Sequence, residues 1–228
     1  MAHTIIIPSR NIENLTACVG ALRAAGETGR VLVINDGLGE WGSLPTLGVT
    51  YVAGEKPFCF ARNMNIGIGA ASPDDVVLLN DDAQFTGALP HRQFRIIIAM
   101  EKFGIIAATT NVTGYPQQGR REPPPAIVRS VKCCAFVAVY IPRRTVNGVG
   151  LLDERFTSYG GEDVDYCLRV REAGLRVGVS DDWYVDHASL PSTFRAAHPT
   201  NGAPGDCIES NRIGIEKWGD KWPQGLGR

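Results

Sequence analysis

An α/β fold with a mostly parallel central sheet flanked by helices is predicted by three observations. Short apolar runs alternate with helix-periodic stretches through the first 110 residues, the β-α-β rhythm of a doubly wound sheet. The run at 76–79 is apolar without interruption, as expected of a strand covered on both faces. Pro8, Asp36 and the trio Asn80, Asp81 and Asp82 fall just past the ends of such runs, where open α/β sheets bind ligands.

The elements follow in order. Residues 5–7 make a short apolar strand; Asn11 can cap a helix reaching residue 25, with Leu15, Val19 and Leu22 on one face and Gly26 and Gly29 ending it. Residues 31–34 and 49–52 are the next strands. A helix over 61–71 turns Met64 and Ile68 inward, and a buried strand follows at 76–79. Residues 89–102 read as a helix and 105–110 as a strand. The second half is less regular. Residues 114–132 carry four prolines, two glycines and four Arg or Lys, which predicts an exposed loop. A strand is expected at 135–141, a helix at 164–173 closed by Gly174, and strands at 176–179 and 184–186, the last delivering His187. Residues 191–205, rich in Pro, Gly, Ser, Thr and Asn, suit a lid, and 208–218 a closing helix.

With 228 residues, 44% hydrophobic and 21% charged, the composition is that of an ordinary globular protein, expected to form one domain over 1–228 with an irregular tail. A net charge of -1 supplies no global attraction to nucleic acid or anionic membrane. The apolar start is too short for a signal peptide and no membrane-spanning run occurs, so a cytoplasmic protein is expected. Cys18, Cys59, Cys133, Cys134, Cys167 and Cys207 form no C-x-x-C pair; reduced thiols are expected, with neither a zinc site nor a disulfide framework.

Two acidic clusters carry the chemistry. VVLLNDDAQF delivers Asp81 and Asp82 to a strand end, where carboxylates suit a hard divalent cation; an acidic turn is the plainer alternative. GGEDVDYCLRV sets Glu162, Asp163 and Asp165 in the first turn of a helix, where they can act on a ligand, offset the helix dipole, or do both. IIIPSRN, VINDG, FARNMNIGIGAA, VVLLNDDA, GLLDERF, GGEDVDYCLRVREAG, His187 and EKWG stand in an order that resembles glycosyltransferase family 2 over nearly the whole chain.

That resemblance implies a GT-A fold, with residues 1–110 as the nucleotide-sugar-binding half and 111–228 as the acceptor and catalytic half. It further implies an inverting transferase that moves a sugar from a nucleoside diphosphate to a hydroxyl acceptor with the help of Mn²⁺ or Mg²⁺. Asp82 and His187 would hold the cation, and the imidazole favours manganese. Asp81 would hold the donor's ribose or sugar beside Asn80, which stands where relatives often have an aspartate. Asp36 would bind the nucleobase, Arg62 the donor, and Pro8 and Arg10 would line the same subsite. Arg10 occupies a position that often holds an aromatic, and a guanidinium can stack as well; a uridine diphosphate donor is preferred. Asp163 is the expected general base, its pKa lowered by the helix dipole, and Glu162 would orient base or acceptor. Asp165 reads as structural. Arg120, Arg121, Arg129 and Lys132 could greet an anionic acceptor such as nucleic acid, although a solvated loop is the plainer reading. Trp183, Trp218 and Trp222 are sugar-stacking or packing residues. A nucleotidyltransferase of similar fold and a carbohydrate-binding relative without turnover are the alternatives.

Overall fold

β1 (His3–Ser9) is buried along its whole length, and the sheet grows outward from it. It pairs in parallel with β2 (Arg30–Asn35) on one side and β4 (Asp75–Leu79) on the other. β3 (Thr50–Ala53) extends the β2 side, so the order reverses at β1 and opens a crevice between β1 and β4. Beyond β4 come β8 (Ala138–Ile141), β6 (Phe103–Thr110), β9 (Arg176–Asp186) and β5 (Gln84–Phe85), while β7 (Val128–Val131) also pairs with β9. β1, β2, β3, β4, β6 and β9 run one way, and β5, β7 and β8 run against them. The computed structural model describes residues 2–120, 127–158, 160–192 and 207–223.

The period of two along each strand divides the core. Ile5, Ile7, Val31, Val33, Val77 and Leu79 face α1 (Ile12–Ala24) and α3 (His91–Glu101), meeting Leu15, Leu22 and Phe94. Ile6, Leu32, Ile34, Val76 and Leu78 face the other way, toward α2 (Phe60–Ala70), α4 (Arg143–Val149) and α5 (Glu162–Glu172). Each such side chain contributes about 1.5–3 kcal/mol by leaving water. A glycine sets the spacing of α2 on the sheet, since a Cβ at Gly67 would stand 2.3 Å from Ile6 Cγ2. A third cluster joins Phe156, Val164, Leu168 and Trp222 to Ile213 of α6 (Ile208–Trp218). No described helix is long and apolar enough to cross a membrane.

The predicted elements are present, with instructive differences. Asn11 does cap α1, its side chain accepting from the Asn14 N–H at 3.0 Å. The two strands expected at 176–179 and 184–186 are one irregular strand. Ser180 pairs with Ala108 and Tyr184 with Thr109, so residues 181–183 are looped out of the ladder. Inside the expected loop at 114–132, residues 128–131 form β7 by pairing antiparallel with β9, and Arg129 donates to Asp181 of the looped-out stretch at 2.6 Å. The strand expected from 135 begins at Ala138; α4 and β5 had no sequence signal. The lid expected at 191–205 falls, from 193 onward, outside the described residues, as does Arg121.

The tryptophans are packing and hydrogen-bonding groups. Trp183 is buried against Phe85 and Phe94 at centroid distances of 5.6 and 5.7 Å, and Trp222 stacks on Phe156. The Trp218 indole donates to Asp165 at 2.8 Å. The six cysteines carry no disulfide, and Cys133 is the least buried of them.

Candidate active site

Helices that precede a parallel strand run against it, so α2, leading into β4, and α5, leading into β9, both start at the edge where β1, β2, β4, β6 and β9 end. That edge collects Ser9, Asp36, Asp81, Asp82, Glu162, Asp163 and His187. Pro8 lies within β1 rather than past it and is buried, shaping the edge from inside.

Asp82 and His187 meet across 105 residues, Oδ1 to Nε2 at 3.1 Å. His187 is held from behind. Its Nδ1 lies 2.9 Å from the Val112 carbonyl and its backbone N–H donates to Asn111 Oδ1 at 2.8 Å, while Asn111 in turn donates to Asp186. A carbonyl only accepts, so Nδ1 carries a proton, and the Nε2 atom faces the Asp82 carboxylate with either a proton or a cation between them. The spacing suits a cation, because ligands at right angles around an ion at roughly 2.1 Å stand roughly 3.0 Å apart. Among the described residues no group of three or more His, Cys, Asp or Glu could hold a metal.

Asp81 accepts from the Ser9 hydroxyl at 2.6 Å. Burial pushes its carboxyl up to about 6; the Ser9 hydrogen bond opposes the rise and the Asp82 charge adds to it.

α5 starts at Gly161, whose φ of 102° and a Phe156 side chain 2.7 Å from any added Cβ leave no room for another residue. Asp163 is buried and its Oδ1 accepts from the Val164 N–H at 2.7 Å. Its pKa is raised, because burial outweighs the backbone N–H groups that favour the charge. This overturns the expectation of a lowered value: the helix N-terminus is present, but desolvation is the larger effect. Glu162 is raised further, by burial and then by the Asp163 charge. Tyr115, three residues beyond the carbonyl that holds His187, feels the Asp163 charge after its own burial, so the chain from Val112 to Tyr115 links the two acidic clusters.

Raised carboxyls oppose stability as they ionise. The unfolded glutamate loses its proton near about 4.3, below the folded value, so Glu162 stabilises the fold most in acid and progressively less as pH rises through the folded pKa. Glu162→Gln is therefore expected to raise the unfolding midpoint at pH 8 and to leave it nearly unchanged at pH 4, measured by differential scanning calorimetry. An equal change at both pH values would refute the buried charge.

Asp165 is structural. Fully buried, it receives Arg169 at 2.8 Å, Lys217 at 2.7 Å and the Trp218 indole. Lys217 also reaches Asp153 at 2.8 Å, so the GLLDERF, GGEDVD and EKWG segments are tied together beneath α5.

Asp36 is buried and thoroughly engaged: Arg10 donates to its Oδ2 at 2.5 Å, and Lys56 at 2.9 Å and Asn63 at 3.3 Å to its Oδ1. Arg10 also lies over the Phe58 ring, 4.7 Å from its centroid. Arg62 is held by Glu154 at 3.3 Å and Glu55 at 3.7 Å. The Asn80 backbone closes the turn after β4 through Val137 and Ala83. Of the basic loop, Arg129 is committed to Asp181, Gln117 and Gly119, Arg120 lies over Tyr184, and Lys132 is exposed. Ser9, Lys56, Phe58, Asn111 and Tyr115 were missed from sequence; only Ser9 and Asn111, each at a strand end, carried a positional signal.

No family model and no curated protein matches the chain. Solved structures do. A structure of GalNAc-T7 with UDP, GalNAc and Mn²⁺ superposes with a TM-score of 0.73 at 12% identity, covering 97% of this chain and 49% of that one. Mannosyltransferase PcManGT from Pyrobaculum calidifontis, in complex with GDP-Man and Mn²⁺, gives 0.67 at 14% identity over 94% and 64%. TarS from S. aureus gives 0.59 at 16% over 95% and 42%. The chain thus spans about half the length of the GalNAc-T7 chain. A sheet that reverses at β1, acids gathered at its carboxyl edge and near-complete superposition on these transferases place the chain in the GT-A fold.

Proposed function

We propose that this chain is a metal-dependent, inverting glycosyltransferase that moves a sugar from a nucleoside diphosphate, with uridine favoured, to a hydroxyl acceptor. The Asp82–His187 pair at the carboxyl edge of the sheet carries this reading. Neighbours of the same fold are described with UDP or GDP-Man together with Mn²⁺. Residues 1–110 would bind the donor and 111–228 the acceptor.

Asp82 and His187 would hold Mn²⁺ or Mg²⁺, which supplies Lewis-acid stabilisation of the diphosphate as it departs. Asp81, fixed by Ser9, would orient the donor's ribose or sugar. Asp163 would take the acceptor hydroxyl's proton as that oxygen attacks the anomeric carbon on the face opposite the diphosphate. Its raised pKa suits the role, since a carboxylate pushed toward neutrality is a better base than an ordinary one. Glu162, whose carboxyl is also raised by burial and by the Asp163 charge, would orient the acceptor or the base.

A thermal-shift screen of nucleotide-sugars with and without Mn²⁺ tests the reading. A donor present at one hundred times its Kd stabilises by about 2.7 kcal/mol, which is expected only when metal is present. Release of nucleoside diphosphate supports the transferase; pyrophosphate from a nucleoside triphosphate would indicate a nucleotidyltransferase, and binding without any turnover a carbohydrate-binding relative.

A further inference from the structure

β6 and β9 end side by side, with Thr110 opposite Val185, so the next residues, Asn111 and Asp186, meet at the rim of the site. The Asn111 amide joins them. Its Nδ2 donates to Asp186 Oδ1 at 2.9 Å while its Oδ1 accepts from the His187 N–H at 2.8 Å, so one side chain grips two successive residues of the neighbouring segment. Only this orientation of the amide satisfies both partners, since a carboxylate requires a donor and an N–H requires an acceptor. Asp186 is held from its other side as well: the Ala188 and Ser189 N–H groups donate to its Oδ1 at 2.8 and 3.2 Å, and the Ser189 hydroxyl donates to its Oδ2. Such bonds can simply finish a strand end. Here they decide where an imidazole points. The carbonyl that lies 2.9 Å from His187 Nδ1 belongs to Val112, the residue directly after Asn111. Fixing Asn111 against Asp186 and His187 therefore fixes the ring's backbone and its anchor together, and Nε2 is left 3.1 Å from Asp82 Oδ1.

We propose that Asn111 and Asp186 are positioning residues for a divalent cation: they clasp the ends of β6 and β9 so that His187 already faces Asp82 when the ion arrives. The inference rests on the metal-dependent reading above and goes beyond it by assigning the alignment of that pair to two residues outside it. The direct partner of the ring is a backbone carbonyl, which no substitution removes. Asn111 is thus the side chain through which that support can be loosened. A ligand histidine that loses its outer support typically binds metal about 10–100-fold more weakly, because the freedom gained by the ring must be given up again on binding.

The test is titration of the full chain with Mn²⁺ in saturating UDP or GDP, whichever the unaltered chain binds, with free Mn²⁺ read by electron paramagnetic resonance. Asn111→Ala and Asp186→Ala are each expected to weaken Mn²⁺ binding by about tenfold or more. Asp186→Asn is expected to stay within about threefold of the unaltered chain: its amide oxygen can still accept from Asn111, Ala188 and Ser189, and a half-exposed charge acts only weakly through water. An equal loss in Asp186→Asn and Asp186→Ala would assign the effect to charge rather than to the clasp and overturn the proposal; so would undiminished Mn²⁺ binding by Asn111→Ala. Should Asn111→Ala fail to fold, the two Asp186 variants decide alone. Mn²⁺ bound equally well by the unaltered chain and the alanine variants sinks this inference alone, whereas no Mn²⁺ binding by the unaltered chain with either nucleotide removes the metal-dependent reading together with it.

Discussion

Asp82→Ala is expected to abolish Mn²⁺-dependent donor binding and to lower transfer by about a thousandfold. The Asp82 carboxylate and the His187 imidazole stand 3.1 Å apart, and His187 is turned toward Asp82 by hydrogen bonds at its Nδ1 and its backbone N–H. Removing Asp82 would take away the carboxylate of the proposed cation pair, the stronger of its two ligands for a hard divalent ion. The Lewis-acid contribution to diphosphate departure is several kcal/mol, and about 4 kcal/mol corresponds to about a thousandfold in rate. Titration of Mn²⁺ with and without nucleoside diphosphate, beside turnover, checks both halves. Retained Mn²⁺-dependent binding in Asp82→Ala would move the cation elsewhere. The fold should survive, because Asp82 supports the site rather than the core.

Asp163→Asn is the second large effect: transfer should fall about 10²–10⁴-fold, the usual worth of a general base, with donor affinity unchanged. Asn preserves the shape and can still accept from the Val164 N–H, but it cannot take a proton. The pH profile separates this role from mere packing. Burial raises the Asp163 and Glu162 carboxyls, and a protonated base is inactive, so kcat/KM should rise with pH, about tenfold per unit on the acid limb. That limb should end above the ordinary carboxylate range and should vanish in Asp163→Asn. Near-normal transfer by the variant, or a wild-type limb at an ordinary carboxylate pKa, would remove Asp163 as the base.

Activity and stability pull in opposite directions at this helix. The burial that would make Asp163 a better base in the proposed reaction also makes ionised Glu162 costly to the fold above neutral pH, and the Asp153–Lys217–Asp165 network beneath holds α5 in place against that cost. A fully buried Asp165 with Arg169, Lys217 and Trp218 on its oxygens is a rigid support of this kind.

By itself, the sequence determined the order of strands and helices in the first half, the capping of α1 and the delivery of Asp82 and His187 to strand ends, because these depend on local periodicity and turn chemistry. The structural role of Asp165 was legible too, from its depth in the helix. Tertiary structure alone decided the rest. The placement of β8 between β4 and β6, the pairing of β7 and the looped-out residues 181–183 arise from contacts between segments far apart in the chain. The raised pKa of Asp163 reversed the expectation from helix position because burial, invisible in a local window, exceeds the dipole. The engagement of Asp36 by Arg10, Lys56 and Asn63 follows from two loops and the first turn of α2 converging on one carboxylate. Periodicity reports which face a residue takes; which charges share that face is fixed only when the chain closes on itself.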